Sequence, residues 1–96
     1  MEELSSHNGI GKVSRGKNVF FFESDNNSSI LWLDETEQAA LSKALASKEK
    51  VKIPHRETKD LTVEFSNAEQ VTISWKNRLG SQEATFDLAK LIAFVS

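Results

Sequence analysis

The chain has 96 residues, no cysteine, and 12 basic against 14 acidic side chains for a formal net charge of −2. That length suits one domain with a modest core, the lack of thiols excludes a disulfide framework and thiolate chemistry, and the acidic balance argues against a general nucleic-acid binder. Apolar runs of four or five residues fall far short of the roughly 20 that cross a bilayer, and Met1-Glu2-Glu3-Leu4-Ser5-Ser6-His7 lacks the basic start and apolar stretch of a signal peptide, so a soluble, cytoplasmic protein without a membrane partner is expected.

Residues 1–17 are polar and hold Gly9, Gly11 and Gly16, which predicts a flexible arm outside the domain, with at most a short strand near Ile10 to Ser14. Lys12, Arg15 and Lys17 give this arm a basic cluster. Residues 18–96 are expected to form the single domain. Lys17 to Glu23 reads as a strand, Asp25-Asn26-Asn27-Ser28 as a turn and Ser29 to Leu33 as a second strand.

That hairpin is apolar at every central position, Val19-Phe20-Phe21-Phe22 facing Ile30-Leu31-Trp32-Leu33. Successive side chains of a strand point to opposite faces, so an unbroken apolar hairpin needs a cover on both sides. Phe20, Phe22 and Trp32 are assigned to the core. Val19, Phe21, Leu31 and Leu33 are assigned to the opposite face.

Asp34 is placed as an N-cap, with Glu37 three residues on completing a capping box. A helix from Glu35 to Ala46 follows, with Ala40, Leu41, Ala44 and Leu45 as its apolar stripe. A basic connection then carries Lys48, Lys50, Lys52 and Arg56, and its Val51-Lys52-Ile53 reads as an edge strand stopped by Pro54. Leu61 to Phe65 and Val71 to Trp75 alternate strictly and predict two strands with one buried face each. Asn77 to Ser81 is a turn, and Glu83 to Phe86 a further strand. Asp87 is placed as the cap of a last helix whose Leu88, Leu91, Ile92 and Val95 share one face, with Phe86 and Leu91 as a hydrophobic staple. The fold class expected is α+β: a mainly antiparallel sheet of about five to six strands with two helices, in a ββα pseudo-repeat.

Chemical motifs are sparse. Gly11-Lys12-Val13-Ser14-Arg15-Gly16-Lys17-Asn18 has the spacing of a phosphate loop, but Asn18 replaces the metal-binding hydroxyl residue and a strand rather than a helix follows. His7 and His55 lie far apart in the chain, and Asp34, Glu35 and Glu37 serve a helix N-terminus. No local signature gathers a nucleophile, base and acid. Neither an enzyme nor a cofactor or metal site is expected.

The basic strands followed by Ser29-Ile30-Leu31-Trp32-Leu33-Asp34-Glu35-Thr36-Glu37 and a helix resemble single-strand-binding transcription coactivators and PUR-type domains, a likeness of fold alone. Aromatics beside basic residues give the alternative partner, single-stranded nucleic acid: Phe20, Phe21, Phe22 and Trp32 would stack bases next to Lys17, with Lys12 and Arg15 holding phosphates and Lys48, Lys50, Lys52 and Arg56 as further contacts. The apolar second face of the hairpin favours a different reading: a small non-enzymatic protein-binding domain, an adaptor or an inhibitor acting by occlusion, with self-association through the hairpin as one form. Val19, Phe21, Leu31 and Leu33 would supply apolar contact, and Lys12, Arg15 and Lys17 would steer an acidic partner.

Overall fold

A computed structural model describes residues 2–55 and 60–96, with the backbone alone at Asp60. Four strands, β1 (Glu2–Ser5), β2 (Lys12–Gly16), β3 (Val19–Glu23) and β4 (Ile30–Leu33), lead into helix α1 (Glu35–Ser47). Four more, β5 (Val51–Pro54), β6 (Asp60–Phe65), β7 (Gln70–Asn77) and β8 (Gly80–Asp87), lead into α2 (Leu88–Val95). Each set forms its own four-stranded sheet in sequential order, and the pairings are antiparallel throughout. The class is α+β, as expected, but eight strands in two sheets replace the single sheet of five or six, and each helix follows four strands rather than two.

Most of the difference lies in the first 17 residues. The expected arm is a β-hairpin built onto the first sheet, with Leu4 opposite Val13 and Val13 opposite Phe22. Its signal is hidden because Val13 is the one apolar residue in β2, and the other inward position is Arg15, which lies opposite Phe20. The guanidinium sits 5.3 Å from the ring centroids of both Phe20 and Phe94 and donates to the Phe94 carbonyl. An arginine can occupy an inner face because its planar cation stacks favourably on aromatic rings.

Both helices start where the sequence places them. The Glu37 amide donates to Asp34 Oδ1 and the Asp34 amide to Glu37 Oε1, each at 2.9 Å, so two orphan amides of the first turn are satisfied reciprocally. Helix α1 ends at Lys48, whose left-handed backbone (φ 58°) turns its amide back onto the Ala44 carbonyl. At α2 the Asp87 carboxylate makes no cap hydrogen bond. It pairs instead with His7 and Lys90, both at 3.4 Å.

One apolar core joins the two halves, with Phe22 of the first sheet edge-on to Phe86 of the second at 5.7 Å. Polar contacts seal the seam. The outer edge of β8 is met by turns of the first half: the His7 amide donates to the Thr85 carbonyl (2.7 Å), the Asp25 amide to the Glu83 carbonyl (2.8 Å), and the Thr85 amide to Asp25 Oδ2 (3.1 Å). Trp75 Nε1 and Asn77 Nδ2 both donate to the Ser29 hydroxyl at 2.9 Å. Among the described residues, no helix is long and apolar enough to cross a membrane.

Candidate functional site: the outer face of the first sheet

The register of β3 against β4 decides which side chains leave the core. Phe20 lies opposite Leu33 and Phe22 opposite Leu31, whereas Phe21 lies opposite Trp32 and Glu23 opposite Ile30. Phe20, Phe22, Leu31 and Leu33 therefore fill the inner face, all 5 % exposed or less. The outer face carries Val19, Phe21, Ile30 and Trp32, with Ile30 at 54 % and Trp32 at 57 % exposure. The expected division is thus corrected at β4. Leu31 and Leu33 are core residues that offer no contact surface, and Trp32, assigned to the core, stands outside. Val19 and Phe21 lie on the outer face as expected. In a strand apolar at every position only the pairing register fixes the face, and a slip of one residue exchanges the two sets.

The outer aromatics form an ordered row. Trp32 meets Phe21 edge-on, with centroids 5.2 Å apart and planes at 80°, a favoured arrangement because the positive edge of one ring faces the negative face of the other. Phe21 extends over Gly16: a Cβ placed on that glycine would lie 3.0 Å from Phe21 Cε2 and 2.9 Å from Val19 Cγ1. The glycine leaves room for the ring beside the backbone, the device by which an aromatic neighbour shields a sheet glycine. Asn18, with φ 61°, closes the tight turn that places Val19 beside Gly16.

Beyond the aromatics the face becomes charged. Lys12 Nζ lies 3.3 Å from Glu3 Oε1 and 3.6 Å from Glu23 Oε2. The hydrogen bond that Lys12 donates to Glu3, then the Coulomb attraction of Glu23, raise the lysine pKa above its ordinary 10.5. Together with Ser14, Phe21, Ile30 and Trp32 these three charges line a shallow cleft of about 310 Å³, at the small end of the range for ligand pockets, about 300–1,000 Å³. One cation against two carboxylates gives the face a slightly acidic balance.

The backbone of β4 is pinned from behind. His55 Nε2 lies 2.6 Å from the Trp32 carbonyl oxygen and 3.5 Å from Glu37 Oε2, so that nitrogen carries the hydrogen that the carbonyl accepts. Gln38 Nε2 donates to the Leu33 carbonyl at 3.0 Å. The capping box, the connection after β5 and the strand bearing Trp32 are thereby tied together. Nothing in the sequence around His55 signals this role.

The basic residues singled out in the sequence are dispersed. Lys12 is committed to two carboxylates, and Arg15 points to the inner face instead of the rim. Lys17 is exposed in the β2–β3 turn. Lys48 caps α1, Lys50 pairs with Glu64 at 3.8 Å, and Lys52 lies on β5 at an edge of the second sheet; Arg56 lies outside the described residues. The Gly11 to Asn18 run forms β2 and its turn, with no helix N-terminus at its end. Among the described residues no group of three or more His, Asp or Glu side chains is placed to hold a metal ion. No family model matches this chain, and no curated protein or solved structure matches it.

Proposed function

We propose that this chain is a small non-enzymatic protein-binding domain, an adaptor or an inhibitor acting by occlusion in the cytoplasm, that docks through the outer face of its first sheet. The observation that carries this reading is Trp32, 57 % exposed beside Ile30 at 54 % and Phe21 on a face that no described element overlies. Aromatic residues in such a setting dominate the energetics of protein interfaces, because they bury large area at low entropic cost. The simplest occupant is the same face of a second copy. A two-fold contact sets each patch against itself, and the mixed charges of Lys12, Glu3 and Glu23 allow the rims to pair across the axis. The succession of four strands and a helix, twice over, supports reading the chain as a duplicated unit.

Sedimentation equilibrium of the wild type and of Trp32→Ser tests it. A concentration-dependent dimer that the substitution abolishes supports the reading. A monomer at every concentration removes self-association.

One observation favours a second reading, the binding of single-stranded nucleic acid: Phe21 and Trp32 present aromatic surface on an open sheet, where bases stack. Against it stand Glu3 and Glu23, which repel phosphates from the same face. The other tryptophan, Trp75, is 3 % exposed, so quenching of indole fluorescence by an oligothymidylate reports on Trp32. Quenching that weakens steeply with salt marks this alternative.

A further inference from the structure

A second surface, independent of the aromatic face, lies between α1 and β5. Ala40, Lys43, Ala44 and Ser47 follow one another at helical spacing along one side of α1. Opposite them all four residues of β5, Val51 to Pro54, line the same groove of about 310 Å³. Side chains of a strand alternate between faces, so four consecutive residues border one groove only where the strand presents its edge. Strand β5 is the outermost of the second sheet and pairs with β6 alone. Among the described residues its other edge makes no hydrogen bond. The alanines keep the helix wall low beside this edge, and Ala40, Ala44 and Ile53 belong to the apolar part of the lining.

The charge at this groove differs from that of the aromatic face. Lys43 on the helix and Lys52 on the strand flank it from opposite walls, and neither has an ion pair among the described residues; Glu49 is the one acid in the lining. Lysine and proline on a strand edge discourage indiscriminate pairing, whereas a carboxylate-bearing strand is drawn to a groove with two lysines and one glutamate. The geometry points to a peptide-docking groove in which an extended acidic segment of a partner protein adds as a fifth strand beside β5. Carboxylates on its outer side meet Lys52, and the small apolar side chains of its other side lie on Ala40 and Ala44, beside the Lys43 ammonium. Main-chain pairing supplies affinity and the alternate side chains supply selectivity, as in other strand-addition complexes.

The probe is a blocked, fluorescently labelled hexapeptide of alternating glutamate and valine, titrated into the whole protein with anisotropy and amide resonances as readouts. Binding with shifts at Val51, Lys52 and Ile53 is expected. It should weaken by about tenfold or more, equivalent to about 1.4 kcal/mol, in Lys43→Glu/Lys52→Glu, whose exposed positions leave the fold intact. A lysine–valine peptide, or one N-methylated at alternate residues, should not bind. Trp32→Ser should bind as the wild type does, which separates this groove from the aromatic face. Absence of shifts at β5, equal affinity for both peptides, or undiminished binding to the double variant would overturn the assignment.

Discussion

Trp32 stands edge-on to Phe21 with 5.2 Å between ring centroids, and the two rings lie on the solvent side of a sheet whose other side holds Phe20 and Phe22. The pairing is therefore a surface feature with a core immediately beneath it. Removing Trp32 should cost only the worth of one aromatic pair, about 0.5–1.5 kcal/mol, whereas Leu33→Ala next door, at 0 % exposure, should cost about 2–5 kcal/mol. Denaturant unfolding of the two variants checks the contrast. Equal losses would mean that Trp32 is not outside.

Gly16 should be replaceable only at the expense of the aromatic row. In Gly16→Ala the new methyl meets Val19 Cγ1 at 2.9 Å and Phe21 Cε2 at 3.0 Å. Val19 is stiff about χ1, so the ring of Phe21 is the part that moves. A shift in Trp32 emission with a stability loss of about 1–3 kcal/mol is expected, and unchanged emission would show that Phe21 does not rest on this backbone.

Lys12 gives a pH signature. Its pKa is raised above 10.5, chiefly by the Glu3 hydrogen bond and then by the Glu23 charge, so the folded state favours the protonated form. The resulting stabilisation is fully present below the unfolded value and is lost as pH rises through the higher folded value. Nuclear magnetic resonance titration of the Lys12 side chain should show Glu3→Gln lowering its pKa toward 10.5, Glu23→Gln doing so less, and added salt weakening both effects.

The seam between the halves depends on Asp25. Its carboxylate accepts the Thr85 amide at 3.1 Å, and Asp25→Ala would leave that donor on β8 without its partner, at a cost of about 1–3 kcal/mol. Gly11→Ala should act on the same point, because a Cβ there would lie 2.4 Å from Asp25 Oδ1 and 2.8 Å from the Glu23 carbonyl oxygen. Thermal unfolding of both variants provides the measurement. A melting temperature unchanged by either substitution would remove the seam's share in stability.

What could be read from the chain follows where its patterns are periodic. Asp34 and Glu37 announce α1 through reciprocal hydrogen bonds within four residues, and the alternation of Leu61 to Phe65 and Val71 to Trp75 names its inner face outright. Pro54 closes β5 where expected. Strand β2 is legible only as a short strand near Ile10 to Ser14, and its place in the sheet is not, because its inner positions are Val13 and Arg15 and an arginine sandwiched between Phe20 and Phe94 depends on a partner 79 positions away. The face of Trp32 was equally illegible: four apolar residues in succession contain no parity, and the register that sets it comes from the turn through Ser24 and Ser29, where the Ser24 amide donates to the Ser29 carbonyl. A second apolar face on the hairpin is legible, and two of its four members, Val19 and Phe21, are among those expected.

The contacts that His7 and Asp25 make with β8 tie the end of the polypeptide to its beginning. Each half severed from the other would keep its ladder of strands but lose this closure, and the exposed rim of β8 would become a template on which further copies could propagate. Melting of the intact protein should accordingly proceed in a single step, with neither half surviving as a separate cooperative unit.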